Sequence, residues 1–216
     1  MKPFYLVICA CLLFTSCSRK WKQPTNCSFT LNYSDDNNST KNEIYSSVYF
    51  TESIRFTGAR EQAGDVNLSK TIDKQINGNN DEMVEFDLPQ GTYTSLDAHL
   101  KLSRNPSSAH TMRINGKHIF SDGSFSNFQF ELNSDVVISG PSFDTDGTNS
   151  VILNKKVDRN AQIEFDLNSL LDGAPEAYWV TASSGPGTIV VDSGSNASLY
   201  LYIITNISDY LEVRFL

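Results

Sequence analysis

The chain has 216 residues, 39% of them hydrophobic, which is enough for one large domain or two small ones with a buried core. It carries 17 basic and 25 acidic residues, for a formal net charge of −8. Because an acidic surface repels a phosphate backbone, this composition argues against nucleic acid as a partner.

The N-terminus is typical of an export signal. Lys2 precedes an unbroken apolar run over residues 4–14, which is too short to span a bilayer, since that takes about 20 apolar residues. The small residues just before Cys17 resemble the lipobox of bacterial lipoproteins. This resemblance implies cleavage of a signal peptide at residues 1–16 and acylation of Cys17 with fatty acids such as palmitate. We therefore expect a lipid anchor, which makes the membrane the first predicted partner.

Residues 17–27 are expected to form a short tether between the lipid and the folded domain. Some surface-exposed lipoproteins of Bacteroidota carry an acidic signal directly after the lipidated cysteine. This chain has Arg19, Lys20 and Lys22 there instead. The sequence therefore predicts attachment to the outer membrane, with the periplasmic face favoured over the cell surface.

One thiol is expected to remain in the mature chain. Cys9 and Cys11 leave with the signal peptide, and Cys17 carries lipid, so Cys27 has no intramolecular partner. We expect it to be a free thiol near the tether or to form an intermolecular bridge.

From residue 28 onward the chain has the patterns of short β-strands. Residues 84–88 alternate apolar and acidic side chains, and residues 163–167 repeat almost the same sequence. Asn115-Gly116 lies between apolar flanks and is the preferred two-residue hairpin turn, because both positions need positive φ.

The C-terminal third mixes two kinds of signal. Residues 168–173 predict a single helical turn closed by glycine, and residues 178–181 predict a short strand. Apolar residues recur every four positions over residues 198–210, which predicts a helix, although residues 199–205 also have β composition. A final strand is predicted over residues 211–215.

Many short strands separated by Gly, Asn and Pro turns predict a mainly β fold, either a β-sandwich or an open barrel. The expected architecture is a single antiparallel β-sandwich over residues 28–216, with one short C-terminal helix covering an edge or an end.

The histidines do not suggest a shared site. With a turn at Asn115-Gly116, His118 lies on the sheet face of Arg113, while His110 lies on the face of Met112. Two histidines on opposite faces cannot ligate one metal, although a register slip of one residue would reverse the assignment.

Asp144, Asp146 and Asn149 form a candidate calcium site, because alternating oxygen side chains near a glycine are able to wrap a hard cation. The match to an EF-hand loop is partial, since Gly147 is fourth rather than sixth and no glutamate follows in place. The alternative is an ordinary polar turn in which the side chains bond their own backbone.

Two pairs of carboxylates lie two residues apart on predicted strands, Glu85 with Asp87 and Glu164 with Asp166. Paired carboxylates carry out glycoside hydrolysis when they flank a cleft. The simpler interpretation is that both pairs form the solvent face of half-buried strands.

Tyr178 and Trp179 are candidate ligand contacts. Adjacent residues of a strand face opposite sides, so only one of the two is expected in the core. The other would be exposed, where an aromatic ring is able to stack on a sugar.

Residues 88–93 (LPQGTY) resemble the LPxGxY turn of uncharacterised lipoproteins of Bacteroidota, whose domains look like prealbumin-type or carboxypeptidase-regulatory-like β-sandwiches. Gly91 has a physical reason there, since it permits a backbone angle that other residues resist. Residues 163–167 with Leu170 and Leu171 are similar to the same family. The resemblance covers residues 44–216 and implies a fold and an envelope address. It carries over no catalytic residues.

No nucleophile motif is present, because the chain has neither a Gly-x-Ser-x-Gly elbow nor a credible cysteine–histidine arrangement. The sequence therefore predicts a lipid-anchored envelope protein with a non-catalytic binding or structural role, its partner being a glycan, a protein or an envelope component. Two alternatives remain open. One is a polysaccharide hydrolase whose carboxylates come from different strands, and the other is an assembly subunit that exchanges strands.

Overall fold

The computed structural model describes residues 24–32, 39, 41–78, 82–107, 109–155, 157–183 and 187–216. The predicted signal peptide, Cys17 and residues 18–23 of the predicted tether lie outside these residues. The strands are β1 (Pro24–Asn32), β2 (Asn42–Arg60), β3 (Ala63–Asn77), β4 (Glu82–Pro89), β5 (Gly91–Leu102), β6 (Met112–Ile119), β7 (Phe125–Leu132), β8 (Val136–Phe143), β9 (Val151–Leu153), β10 (Arg159–Phe165), β11 (Ile189–Val191) and β12 (Leu211–Phe215). The helices are α1 (Leu167–Asp172), α2 (Glu176–Ala182) and α3 (Ala197–Asn206), and a 3₁₀ turn follows at Ile207–Tyr210.

The fold is mainly β, as predicted, but the described strands join one mixed sheet. Hydrogen bonds link them in the order β11-β7-β6-β2-β5-β8-β12-β10-β1-β4, with β3 beside β2 and β9 beside β5. Most of the strand pairs are antiparallel, as expected, but β1 with β10, β7 with β11 and β8 with β12 are parallel, and one mixed sheet does not confirm the predicted two-layer sandwich. Alternating hydrophobicity fixes which side chains face inward, but it does not fix the direction of the neighbouring strand.

The long strand β2 organises the sheet. Residues 42–49 pair with β6, residues 51–60 pair with β5, and β3 runs along the opposite edge. The register shifts between Thr51 and Ser53 in the ladders with both β3 and β5. Such a bulge bends the strand and increases its twist, so the sheet curves around its inner face.

Aromatic side chains fill the space that this bend encloses. Phe56 of β2 packs on Phe29 of β1, with ring centroids 4.7 Å apart, and on Phe86 of β4, at 5.2 Å. Tyr49 of β2 meets Phe165 of β10 at 6.1 Å. Each fully buried ring stabilises the fold by about 1.5–3 kcal/mol, so the core holds together strands that are not hydrogen-bonded neighbours.

The predicted hairpin turn at Asn115-Gly116 is wrong, because β6 runs straight through it between β2 and β7. Gly116 is required there by packing. A Cβ at this position would lie 2.5 Å from the Glu43 carbonyl oxygen and 2.7 Å from the ring of Phe128. Gly91, by contrast, has the positive φ expected for its turn, at 147°.

The C-terminal third contains three short helices within the described residues. Helix α1 is the predicted helical turn, with the Asp166 carboxylate accepting from the Ser169 N–H at 2.9 Å and Gly173 at its C-terminal end. Residues 178–181 belong to helix α2, so the predicted strand is wrong there. Helix α3 and the 3₁₀ turn cover the predicted 198–210 helix, and β12 follows as predicted.

The folded region begins earlier than the predicted tether allows. Strand β1 starts at Pro24 and pairs with both β4 and β10, so residues 24–27 belong to the domain. Cys27 is completely buried, and burial raises the pKa of its thiol to about 12. In the described part of the chain, every helix is too short or too polar to cross a membrane.

Candidate binding sites

A cleft of about 380 Å³ lies between β3 and β4. Among the described residues, β3 pairs only with β2, and β4 pairs only with β1 as the last strand of the sheet. Each of the two strands therefore has one edge without a strand partner among the described residues. A free edge carries backbone N–H and C=O groups that are available to another strand.

Lys70 of β3 spans the gap between the two edges. Its Nζ donates to the carbonyl oxygen of Glu85 at 2.5 Å. This carbonyl therefore faces β3 rather than β1. Because alternate residues of a strand share one orientation, Asp87 also directs its backbone groups toward the cleft.

The cleft has an apolar floor and a charged rim. Half-buried Leu68 and buried Phe86 line its floor, and Phe86 is fixed by its contact with Phe56 of the core. The exposed side chains of Glu85 and Asp87 stand along the rim. A concave surface with apolar walls and a few polar groups is the usual form of a binding site.

The two predicted carboxylate pairs have different settings. Glu85 and Asp87 project from one face of β4, with a backbone separation of about 7 Å, and line the cleft. Glu164 lies on β10 directly opposite Glu212 of β12, and Arg214 contacts both. Burial raises the pKa of Glu164, the Arg214 charge opposes this, and the nearby Glu212 carboxylate adds to the rise.

A second pocket, of about 230 Å³, lies on the outer face of the sheet. The half-buried side chains of Val48 and Phe50 on β2 give it an apolar wall. Gln75 of β3 and Asn105 of the loop before β6 stand at its rim, where the Asn105 Nδ2 donates to the Gln75 Oε1 at 2.8 Å.

Arg113 and His110 complete this outer-face pocket. Arg113 forms an ion pair with Glu131 of β7, its direct cross-strand neighbour, at 3.1 Å. His110 Nδ1 donates to the Asn133 Oδ1 at 2.8 Å, which leaves Nε2 to accept from Arg113. Arg113 therefore points outward, while His118 shares the inner face with Met112. This is the reverse of the predicted arrangement, because the predicted turn is absent.

Thr111 also lines the pocket, although the residue is only 1% exposed. Its backbone N–H donates to the Leu132 carbonyl at 2.7 Å, and its carbonyl accepts from the Phe50 N–H at 3.0 Å. Its hydroxyl has no hydrogen-bond partner within the described residues, and neither does the Nε of Arg113.

The predicted calcium residues lie on one exposed turn between β8 and β9. The Asp144 carboxylate accepts from the Arg159 guanidinium at 2.6 Å and from the Ile152 N–H at 3.0 Å. Burial opposes ionisation of Asp144, but these bonds outweigh it and lower its pKa to about 2. The Asp146 carboxylate accepts from the hydroxyl and N–H of Thr148.

Asn149 is exposed on the same turn. The guanidinium of Arg159 is already paired with Oδ1 of Asp144. In the part of the chain that the structure describes, no group of three or more His, Cys, Asp or Glu side chains is placed to hold a metal ion.

Tyr178 and Trp179 take different positions on α2. Trp179 is completely buried and stacks on His118, with ring centroids 4.2 Å apart and planes 5° apart. It also meets the edge of Phe128 at 5.3 Å. Tyr178 is 37% exposed, so any ligand contact from this pair falls to Tyr178.

His118 belongs to a buried polar chain behind this stack. Its Nδ1 donates to the Asn42 Oδ1 at 3.0 Å, and the Asn42 Nδ2 donates to Asp172 at 2.6 Å. The Ser39 hydroxyl donates to the same carboxylate at 2.7 Å. Burial lowers the pKa of His118, against the opposite effect of the Glu176 carboxylate 3.8 Å from its Nε2.

Comparison with known proteins gives no relative from which to assign these sites. No family model, curated protein or solved structure matches the chain. Sequence reasoning found Glu85 and Asp87, but it missed Thr111, Arg113 and the amides around them. Arg113 and Lys117 are polar residues four positions apart in one strand, so they lie on the same face. This pattern would have predicted that Arg113 points to the outer face if Gly116 had been interpreted as a packing residue rather than as part of a turn.

Proposed function

We propose that the chain is a lipid-anchored protein of the cell envelope that binds a partner without catalysing a reaction. The cleft between β3 and β4 is its binding site in this proposal. The observation that carries it is the cleft between two strands that each have an edge without a strand partner among the described residues, with the Glu85 carbonyl of β4 turned toward β3. A free edge takes up an extended peptide by continuing the hydrogen-bond ladder, and side-chain pockets along it give specificity.

The partner is a protein segment in extended conformation with alternating basic and apolar side chains. Its basic side chains meet the rim carboxylates of Glu85 and Asp87, and its apolar side chains lie over Leu68 and Phe86. One of its N–H groups replaces the Lys70 ammonium at the Glu85 carbonyl. The net charge of −8 favours encounter with such a segment.

A photo-crosslinking amino acid at Ser69, in the cleft, tests the proposal in the cells that make this protein. The same amino acid at exposed Ser193, outside the residues that line the cleft, is the matched control. We expect a discrete crosslinked partner from position 69 that is lost when Glu85→Lys and Asp87→Lys are added. Equal crosslinking from both positions would contradict the proposed site.

Membrane attachment is tested separately. Replacing Cys17 by alanine should release the protein from the membrane fraction, because the anchor is proposed to be lipid on this residue. An impermeant protease should cleave it only after the outer membrane is permeabilised, as the periplasmic location requires. Cleavage in intact cells would place the domain outside.

Two other functions make use of the same cleft. A strand-exchanging assembly subunit would place a second copy against the free edges, and crosslinks between copies from position 69 would support it. A polysaccharide hydrolase would use the carboxylates of Glu85 and Asp87, which both line the cleft. Its general acid needs a raised pKa, and the carboxyl of Glu164, which has one, is not among the cleft residues.

Loss of polysaccharide cleavage in Glu85→Gln and Asp87→Asn, with binding retained, would establish the hydrolase.

A further inference from the structure

The cleft between β3 and β4 lies next to the point where the N-terminal part of the chain enters the fold. Strand β1 begins at Pro24, directly opposite Pro89 at the end of β4. Two residues later Asn26 pairs with Asp87, and both line the cleft. Lys22 precedes Asn26 by four residues, which is a chain length of at most about 14 Å. The residues before Pro24 therefore start close to the rim of the cleft.

Residues 18–23 (SRKWKQ), the tether segment, lie outside the described residues, and their sequence complements the cleft. Trp21 stands between two lysines. At the cleft, β4 has the same pattern with the opposite charge, because Phe86 stands between Glu85 and Asp87. In an extended chain, residues two apart share one side and the residue between them takes the other. The tether segment is therefore able to offer ammonium groups to the rim and an indole to the apolar floor.

The rim of the cleft has carboxylates that are open to a cation. Glu85 and Asp87 are exposed there, and neither carboxylate has an ion-pair partner in the part of the chain that the structure describes. Lys70 also lines the cleft, but its ammonium donates to the backbone carbonyl of Glu85 rather than to a carboxylate. Basic side chains from another segment therefore meet two acidic groups that are not yet neutralised.

Covalent linkage makes even weak contacts of the tether segment effective. A segment joined to its binding site by a short chain has an effective concentration of about a millimolar. A separate protein segment has to compete with it for the cleft. The side chains expected of that partner, basic and apolar in alternation, are those that Lys20, Trp21 and Lys22 provide.

We propose that the tether segment of this chain occupies the cleft until the partner displaces it, with its lysines at the carboxylates of Glu85 and Asp87 and with Trp21 over the apolar floor. This inference rests on the proposed function, since it assigns a regulator to the same cleft. The tether segment is then a built-in competitor, and binding of the partner releases it.

The first test uses the full protein, purified in a detergent with no net charge, with the photo-crosslinking amino acid at Ser69. We expect a crosslink within one molecule from position 69 to residues 18–23, located by mass spectrometry in the band that migrates as a monomer. The same amino acid at exposed Ser193 is the control and should give none.

The two proposals fail in different ways in this test. A partner captured in cells from position 69, with no crosslink to residues 18–23 in the purified protein, would overturn the tether as occupant and keep the proposed function. A crosslink to residues 18–23 without any partner in cells would keep the tether as occupant and reject the proposed function.

The second test weakens the competitor. Lys20→Gln combined with Lys22→Gln should raise the yield of crosslinked partner from position 69 in cells about threefold or more, because two exposed ion pairs of the tether segment are lost. Arg104→Gln combined with Lys155→Gln is the matched control, since both residues are exposed, lie outside the cleft and change the net charge equally. An unchanged or lower yield in the tether variant, or an equal rise in the control, would overturn the proposal.

The third test separates the cleft from the membrane as the place where Trp21 lies. The chain has two tryptophans and Trp179 is completely buried, so subtracting the spectrum of Trp21→Phe isolates the emission of Trp21. We expect Glu85→Lys with Asp87→Lys to shift this emission to the red and to increase its quenching by acrylamide. Emission that ignores these substitutions but responds to vesicles of anionic phospholipid would place Trp21 at the membrane and overturn the proposal.

Discussion

His118 and His110 lie eight positions apart in the sequence, yet they have opposite surroundings. His118 is 1% exposed, stacked on Trp179 and bonded through Asn42 to Asp172. His110 lies at the rim of the outer-face pocket, beside Arg113 and Asn133. Inside the sheet, polar groups are used mainly to hold helices α1 and α2 against strands, whereas the polar side chains around the outer-face pocket bond to one another between neighbouring strands and loops.

This comparison separates residues whose loss should affect folding strongly from residues whose loss should affect it little. The inner set is surrounded by aromatic rings, so a change there opens a cavity or leaves a buried group without a partner. The outer set borders solvent, so a change there is tolerated by the fold.

The largest effect is expected for Trp179→Ala. Removing a fully buried indole that packs on His118 and Phe128 should lower the free energy of unfolding by about 3–5 kcal/mol. Urea denaturation measures this loss. Tyr178→Ala on the same helix is the control, and its effect should be well below that of Trp179→Ala because its side chain is partly exposed. Equal losses would show that α2 is not anchored by the indole.

Asp144→Asn is expected to have the next largest effect, because Asp144 also uses its charge within the fold. It loses the ion pair with Arg159, and we expect the free energy of unfolding to fall by about 1.5–3 kcal/mol. Thermal unfolding with and without calcium tests the same turn. Arg159 holds the carboxylate, so calcium should not raise the melting temperature; a clear rise would establish the calcium site instead.

A smaller effect is expected from pH through His118. The pKa of His118 is lowered in the folded state, so the unfolded chain takes up the proton at a higher pH than the folded chain does. The free energy of unfolding therefore decreases as the pH is lowered below about 6.5. One such histidine removes at most about 1.4 kcal/mol between about pH 7.5 and about pH 5.5.

His99 also has a lowered pKa, chiefly from burial, and contributes in the same direction. The informative quantity is therefore the difference in slope between the unaltered protein and His118→Gln. We expect the variant to have the flatter dependence, and identical slopes would mean that His118 is not the titrating group.

The smallest effect on stability is expected for His110→Gln. The residue lies at the pocket rim and its side chain contacts Asn133, Arg113 and Glu131, so the free energy of unfolding should fall by about 1 kcal/mol or less. Urea denaturation measures the change. A loss of stability as large as that of Trp179→Ala would contradict the comparison between the two histidines.

The elements that could be predicted from sequence are those with strong local signals. The alternation over 84–88 and 211–215 specifies strands, and Asp166 with Gly173 specifies the ends of α1. Asn115-Gly116 misled the prediction because the same glycine that suits a turn also suits a crowded central strand. Only the neighbouring Glu43 and Phe128 distinguish the two, and they are distant in sequence.

The predicted strand over residues 178–181 is wrong for a related reason. Tyr, Trp, Val and Thr favour strands by composition, but burial of Trp179 against His118 is achieved from a helix, and packing overrides propensity. The outer-face pocket was not predictable at all. Its residues come from separate elements between Val48 and Arg113, and nothing local marks the Thr111 hydroxyl as unpaired.

The most direct test follows the imidazole proton resonance of His118 during titration with acid. We predict that this resonance keeps its neutral position below about pH 6.5 while the protein stays folded, because burial lowers the pKa of His118 and its ring is stacked on Trp179. A His118 resonance that titrates like a free histidine would contradict the assignment of this residue to an inner face that stabilises the fold.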